Sequence, residues 1–152
     1  MMDLNQSLKR QLSNKKLLLL MTIISLVGFT DSIYLVYHFY FGGTTPCLIT
    51  QGCEQVLTSK YATIGGFPIS LAGLVYYFLI FILLGNVDLD GDAGSFRRIK
   101  LLTFLGFIFS LALLCIQIFV IRALCFYCLL SFASSTALFT TAALISKNNK
   151  SR

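Results

Sequence analysis

Charged residues are scarce in this chain of 152 residues, where Asp, Glu, Lys and Arg together make up only 12%. An ordinary soluble domain is about one quarter charged. Hydrophobic residues account for 57% of the sequence, and the mean hydropathy is +0.82. This balance excludes a soluble globular domain and predicts a membrane protein. The length favours a single domain, residues 1–152.

The apolar residues fall into four blocks that are each long enough to cross a hydrocarbon layer. That layer is about 30 Å thick and needs roughly 20 residues of helix. No small-residue cleavage motif follows the first block, so we expect an uncleaved helix rather than a signal peptide. The sequence therefore predicts an all-α integral membrane bundle of four transmembrane helices. The predicted spans are approximately 16–41, 67–84, 99–121 and 124–145.

The basic residues are concentrated at alternate ends of these spans. Cationic loops lie on the cytoplasmic side of a membrane protein. The pattern predicts cytoplasmic termini and a cytoplasmic loop at 86–98, with the 42–63 loop and the 122–124 link facing outward. Because topology accounts for the charge, we expect no nucleic-acid partner. The flanking cations are Lys9, Arg10, Lys15 and Lys16, then Arg97, Arg98 and Lys100, then Lys147, Lys150 and Arg152, and only Lys60 and Arg122 lie elsewhere.

The two loops that follow the first and second spans are predicted to differ. Gly and Thr residues followed by Pro46 end the first span, and residues 54–59 are predicted to form a short surface helix. Pro68 is expected in the first turn of the second span, where its missing N–H costs nothing. The Asp-rich segment 86–95 lacks the closing Glu of an EF-hand, so we expect a solvated cytoplasmic turn there.

Cysteine spacing gives the first chemical signal, with five cysteines at positions 47, 53, 115, 125 and 128. The topology puts four of them at the outward face, where an oxidising compartment permits disulfides. Cys125 and Cys128 form a C-x-x-C motif at the start of a helix. The helix dipole, the unpaired N–H groups and the charge of Arg122 all favour a thiolate there. The sequence therefore predicts a redox-active pair.

Other uses of the cysteines remain open at this stage. Four cysteines can form a zinc site, although the only histidine, His38, lies within the first span. Alternatively, both pairs are structural disulfides of a non-enzymatic membrane scaffold. A mobile pair that exchanges with a fixed pair explains better why both lie at one membrane face. Cys115 has no partner in sequence range and is interpreted as a small hydrophobic residue.

Several short motifs in a fixed order make the sequence similar to a known family over about residues 28–132. It resembles the vitamin K epoxide reductase family, in its bacterial disulfide-forming branch. The motifs are Asp31-Ser-Ile-Tyr-Leu on the first span, Cys47 with Cys53, Cys53-Glu-Gln-Val-Leu-Thr-Ser59, Gly66-Phe-Pro-Ile-Ser-Leu-Ala-Gly-Leu74 and Cys125-Phe-Tyr-Cys128.

The resemblance implies a membrane thiol oxidoreductase that supports disulfide formation outside the cytoplasm of a bacterium. A reduced thioredoxin-like protein would attack Cys47, and the released Cys53 thiolate would attack Cys125. Cys128 would then reduce a quinone, either ubiquinone or menaquinone. Ser59 matches a family serine that supports catalysis, although its own chemistry favours a helix cap or a solvated hydroxyl.

Two departures from the family pattern bear on the substrates. Vertebrate members bind substrate through an Asn near the start of the second helix and a Tyr four residues after the C-x-x-C. Ile69 and Phe132 stand at these positions here, so we expect contacts to an apolar quinone and no epoxide reduction. Some bacterial relatives carry a fused thioredoxin-like domain. This chain ends soon after the fourth span, which predicts a separate, DsbA-type electron donor.

Asp31, Tyr34 and His38 form a polar stripe on one face of the first span, since they lie three and seven residues apart. A carboxyl group inside a membrane span is costly in free energy, so by default its presence suggests a function. We expect the stripe to face the bundle interior, where it is either a proton path or quinone contact, or a set of interhelical hydrogen bonds.

Overall fold

The computed structural model describes residues 2–42, 52–90 and 93–150. In this part of the chain, a long first helix is followed by a very short helix, a small hairpin and three further long helical segments. These elements are α1 (Met2–Phe41), α2 (Cys53–Leu57), β1 (Thr63–Ile64), β2 (Phe67–Pro68), α3 (Ile69–Asp90), α4 (Ala93–Cys115), a π-helical turn (Ile116–Ile121) and α5 (Phe126–Lys150).

Within the described residues, four helical segments are long and apolar enough to cross a membrane: Asn14–Phe41, Ile69–Val87, Gly94–Ile121 and Phe126–Lys147. Many of their large apolar side chains are exposed, and Phe119 has 75% of its surface uncovered. Apolar surfaces of this extent are stable against lipid rather than water. The predicted all-α membrane bundle of four helices is confirmed.

The four long helices pack so that α1 contacts α3 and α5, while α4 contacts the same two helices from the other side. The main apolar core includes Met21, Ile80, Ile99 and Leu138, one from each long helix. It lies toward the ends where α3 finishes and α4 begins. The opposite end, where Cys125 precedes α5, is called the cysteine end below.

Two glycines allow tyrosine rings to lie inside the bundle. A Cβ atom on Gly28 of α1 would overlap the ring of Tyr77, and one on Gly106 of α4 would overlap the ring of Tyr76. Both tyrosines belong to α3. The glycines therefore determine how closely α1 and α4 approach α3.

The structure differs from the predicted loops at two places. Helix α3 continues to Asp90 and α4 begins at Ala93, so most of the predicted solvated turn at 86–95 is helical. Asn and Asp lower helix propensity by only a few tenths of a kcal/mol each. A short run of them does not end a helix that is already propagating.

The second difference is a two-stranded hairpin before α3, which the sequence analysis did not predict. Thr63 pairs with Pro68, and Ile64 pairs with Phe67. Gly65 and Gly66 between the strands both have positive φ angles, 61° and 88°. Two-residue hairpin loops often require such angles, which glycine adopts without strain. Pro68 consequently ends β2, and α3 begins one residue later.

Candidate redox site at the cysteine end

A π-helical turn and a left-handed residue separate α4 from α5. The turn covers Ile116–Ile121, and Arg122 follows with a φ angle of 55°. The Ala123 N–H donates to the carbonyl oxygen of Gln117 across 3.3 Å, which closes the reversal. Single π-helical turns often occur at functional sites because they reorient the side chains that follow. Here the reversal brings the C-x-x-C motif back toward Gln117.

Gln117 contacts both cysteines of that motif. Only 4% of its surface is exposed, and its Oε1 atom accepts a hydrogen bond of 3.1 Å from the Cys125 backbone N–H. The same side chain hydrogen-bonds the Cys128 thiol. Gln117 was not predicted from the sequence. The available signal was a single amide side chain between Ile116 and Ile118 in an otherwise apolar span.

Cys125 occupies the N-cap position of α5. Its carbonyl oxygen accepts the first helical hydrogen bond, from the Leu129 N–H at 3.0 Å. Its sulfur accepts hydrogen bonds from the Cys128 thiol and from the backbone N–H groups of Cys128 and Tyr127. An N-cap side chain accepts from the free N–H groups of the first turn in this way.

These hydrogen bonds govern the acidity of Cys125. The Cys128 thiol, followed by the two backbone donors, lowers the pKa of Cys125 from its ordinary value of 9.0 to about 7, although burial opposes the shift. The charge of Arg122, which was expected to favour the thiolate, does not contribute to the lowered pKa of Cys125. Cys125 therefore forms a thiolate more readily than an ordinary cysteine, as thiols at helix N-termini do.

Cys53 and Cys125 are brought together from distant parts of the chain. Both are fully buried, and with Val56 they form one cluster, against which Cys128 and Leu57 pack. Cys53 is disulfide-bonded, whereas Cys125 and Cys128 are free thiols. Cys47, the predicted partner of Cys53, lies outside the described residues.

The close approach of α2 to the link before α5 depends on Gly52. A Cβ atom at this position would lie 2.8 Å from the carbonyl oxygen of Leu124 and 3.1 Å from the Cβ atom of Ala123. Any larger residue must move α2 or the link. Gly52 thus allows Cys53, the next residue, to pack in the cluster with Cys125.

A cavity of about 1060 Å³ lies beside this cluster, between the long helices and beneath α2 and the hairpin. Most of its lining surface is apolar, although all four long helices also contribute polar side chains. The lining includes Asp31, His38, Ser59, Ile69, Gln117 and Cys128. The cavity is therefore large enough for an organic ligand, and Cys128 is one of the residues that such a ligand would meet.

The two residues expected to contact quinone have different positions. Ile69 lines the cavity. Phe132 is not among its lining residues in the described part of the chain, and its ring packs against Phe107 of α4 with a centroid separation of 6.2 Å. The fourth position after a C-x-x-C motif on a helix need not face the same side as the cysteines, so spacing alone did not settle its direction.

Ser59 lies two residues after the end of α2 and lines the cavity. Its hydroxyl donates a hydrogen bond of 2.7 Å to the carbonyl oxygen of Val56. It therefore stabilises the C-terminal end of the short helix that carries Cys53.

A polar network beside the cavity was also missed by the sequence analysis. The Tyr77 hydroxyl is 3.1 Å from the Ser131 hydroxyl and 3.3 Å from the Ser135 hydroxyl. Ser110 donates to Ser135 across 3.1 Å. The network joins α3, α4 and α5, and it satisfies hydroxyl groups that would otherwise be costly inside a membrane bundle.

The polar stripe on α1 faces the interior, as its spacing predicted. Asp31 and His38 line the cavity, and the Tyr34 ring lies between His38 and Tyr127, with centroid separations of 4.6 Å and 5.1 Å. Tyr127 belongs to the C-x-x-C motif. The stripe therefore reaches the second cysteine pair.

The structure also bears on Cys115 and on the alternative of a metal site. Cys115 is a free thiol, and it is exposed on the surface of α4. Across residues 2–42, 52–90 and 93–150, no group of three or more His, Cys, Asp or Glu side chains could hold a metal ion.

A comparison with known protein families identifies the family to which the chain belongs. A profile of the vitamin K epoxide reductase family matches residues 19–143, which is most of the chain. The chain belongs to the vitamin K epoxide reductase family. No individual curated protein matches it. As a family member, the protein is a membrane oxidoreductase, and the matched region contains all the cysteines, Ser59 and the residues that line the cavity.

Proposed function

We propose that this vitamin K epoxide reductase family member oxidises the dithiol of a separate thioredoxin-like protein and transfers the electrons to a quinone. The reaction would support disulfide formation outside the cytoplasm. One observation carries the proposal: Cys53 and Cys125 share a buried cluster, next to a cavity that Cys128 lines. Thiol–disulfide exchange requires a thiolate to reach a disulfide sulfur, and packing in one cluster keeps Cys53 and Cys125 near each other.

The relay consists of two exchanges. A partner thiolate attacks Cys47, the Cys47–Cys53 bond breaks, and the second partner thiol displaces Cys47 as the partner disulfide forms. Cys53 then attacks Cys125 and releases Cys128, after which Cys47 attacks Cys53 and releases Cys125. Each exchange forms one disulfide for every disulfide broken, so two electrons move at each stage. The role of Cys47 rests on the family resemblance.

The last step regenerates the Cys125–Cys128 disulfide. The pair loses two electrons, and a quinone, the second substrate, is reduced to a quinol. Ubiquinone and menaquinone are largely apolar molecules, which suits a cavity whose lining surface is mostly apolar and includes Ile69. Ile69 and Phe132 offer no hydrogen bonds of the kind that the vertebrate enzymes use, and epoxide reduction is not part of the proposal.

The protein is proposed to span the plasma membrane of a bacterium, with the cysteine end on the side away from the cytoplasm. Arg97, Arg98 and Lys100 lie at the start of α4, and Lys147 lies near the end of α5. These positions are at the end of the bundle opposite the cysteines. Cationic ends of membrane helices favour the cytoplasmic side.

The test uses the purified protein with a reduced thioredoxin-like protein and a short-chain quinone, and it follows the absorbance of the quinone. We expect steady turnover by the wild-type protein and its loss when Cys47, Cys53, Cys125 or Cys128 is changed to Ala. The matched control, Cys115→Ala, removes an exposed free thiol and should retain nearly full turnover. Undiminished turnover by Cys53→Ala would rule out the proposed relay. An inert wild-type protein would favour a scaffold with structural disulfides.

A further inference from the structure

The cavity contains a carboxyl group that the cysteine relay does not use. Asp31 on α1 is only 7% exposed, and its Oδ2 atom is buried without a hydrogen-bond partner among the described residues. An unpaired carboxylate is costly in apolar surroundings, whereas a neutral carboxyl group can be accommodated. In its neutral form it holds one proton that can be transferred.

Asp31 is also close to the sulfur atoms that react with the quinone. It lines the same cavity as Cys128. It lies within electrostatic range of Cys125 and Cys128, which are the last two reactive groups of the relay. Asp31 also interacts electrostatically with Tyr77 of α3 and Tyr127 of α5. The carboxyl group therefore lies on a helix that packs against α5, within electrostatic range of the reactive pair.

Reduction of the quinone requires more protons than the reduced cysteine pair can provide. Formation of a quinol takes two electrons and two protons. When Cys125 is a thiolate, the pair still holds two electrons but only one proton, on Cys128. A second proton must come from another group that reaches the cavity.

We propose that Asp31 donates this second proton and is a catalytic acid of the quinone step, an inference that rests on the proposed function. The Cys125–Cys128 bond forms and two electrons pass to the quinone. The S–H bond of Cys128 and the O–H bond of Asp31 break, and two O–H bonds form on the quinol. Each donor dithiol brings two protons into the cycle: one restores the Cys128 thiol and the other restores Asp31.

Three substitutions on α1 test the assignment. Asp31→Asn keeps the size and polarity of the side chain but removes the transferable proton, while Asp31→Glu retains a carboxyl group. Thr30→Val is the matched control, because Thr30 is exposed and its hydroxyl bonds only to its own helix, at the Leu26 carbonyl. Each protein is reduced first and then mixed with a short-chain quinone. Thiol trapping at intervals then measures the return of the Cys125–Cys128 disulfide.

We expect Asp31→Asn to slow this return by about 100-fold, as loss of a general acid does. Asp31→Glu should recover most of the rate, and Thr30→Val should match the wild-type protein. Electron transfer from the thioredoxin-like donor to the oxidised cysteine pairs should be unchanged in all three. In the wild-type protein, the infrared carbonyl band of a neutral carboxyl group should disappear on quinone reduction, and Asp31→Asn should lack this change.

Two results would overturn the assignment. One is a wild-type rate of disulfide return in Asp31→Asn. The other is an equal slowing of both half-reactions, which would show that Asp31 maintains the fold. If quinone does not oxidise even the wild-type reduced pair, the proposed function itself fails, and with it the inference.

Discussion

At the scale of single residues, the chemistry of the site depends on where Cys125 lies relative to α5. As the N-cap residue, it accepts hydrogen bonds from two backbone N–H groups and from the Cys128 thiol. Cys128, one turn later, is the thiol donor of that hydrogen bond and lines the cavity. The two cysteines of one motif thus differ in character: Cys125 packs against Cys53, and Cys128 lines the cavity that is proposed to bind the quinone.

The acidity of Cys125 gives a prediction about pH. In the reduced protein, the ultraviolet absorbance of its thiolate should appear as pH rises, with a midpoint near pH 7. Below that pH the thiol is protonated and the absorbance is lost. The difference between the wild-type protein and Cys125→Ser isolates this signal from the other cysteines. A midpoint near 9, the ordinary value, would show that the N-cap hydrogen bonds do not act on the sulfur.

Gln117 gives a second prediction at this scale. Gln117→Met keeps the length of the side chain but leaves the buried Cys125 N–H without its acceptor. An unsatisfied buried donor costs about 1–3 kcal/mol. We expect the free energy of unfolding, measured in detergent with a denaturant, to fall by that amount. Ile118→Met, at an exposed position of the same turn, is the control. Equal stability of the two variants would contradict the hydrogen-bonding role.

At the scale of elements, the short helix α2 matters more than its five residues suggest. It buries Cys53 against the link before α5 and, together with the hairpin, covers the cavity. The hydrogen bond from Ile69 N–H to the Ala62 carbonyl oxygen, 2.9 Å long, joins this cover to the start of α3. The cover is therefore attached to the bundle on the side of α3.

Substitution of Gly52 tests the docking of α2. The added methyl group of Gly52→Ala would lie 2.8 Å from the Leu124 carbonyl oxygen, so α2 must shift. Misplacement of reacting groups by about 1 Å can cost on the order of 100-fold in rate. We expect a comparable slowing of electron transfer from Cys53 to Cys125, measured by rapid quenching and thiol trapping. The control is Gly85→Ala, because a Cβ atom there meets nothing within 4 Å. Similar rates in both variants would argue against docking through Gly52.

At the scale of the whole molecule, much of the architecture follows from hydrophobicity and residue spacing alone. Runs of apolar residues predict the membrane helices because the bilayer sets their length. The C-x-x-C motif indicates redox chemistry because two sulfurs at that spacing can form a disulfide. The inward direction of Asp31 and His38 follows from helical periodicity.

Other features depend on contacts between distant segments, which a single sequence does not specify. The side chain of Gln117 reaches the cysteines only because a π-helical turn and a left-handed Arg122 redirect the chain. Tyr77 reaches Ser131 because Gly28 leaves space for its ring. Phe132 packs against Phe107 of α4, a contact between two helices that the spacing from the C-x-x-C motif does not predict.

The central claim is that the two cysteine pairs exchange electrons through Cys53 and Cys125. A variant in which Cys47, Cys115 and Cys128 are all changed to Ala retains only these two thiols. After mild oxidation in a membrane, mass spectrometry of the protein should show a bridge between Cys53 and Cys125 in nearly every molecule. Two free thiols that persist under the same oxidation, in a folded protein, would contradict the relay.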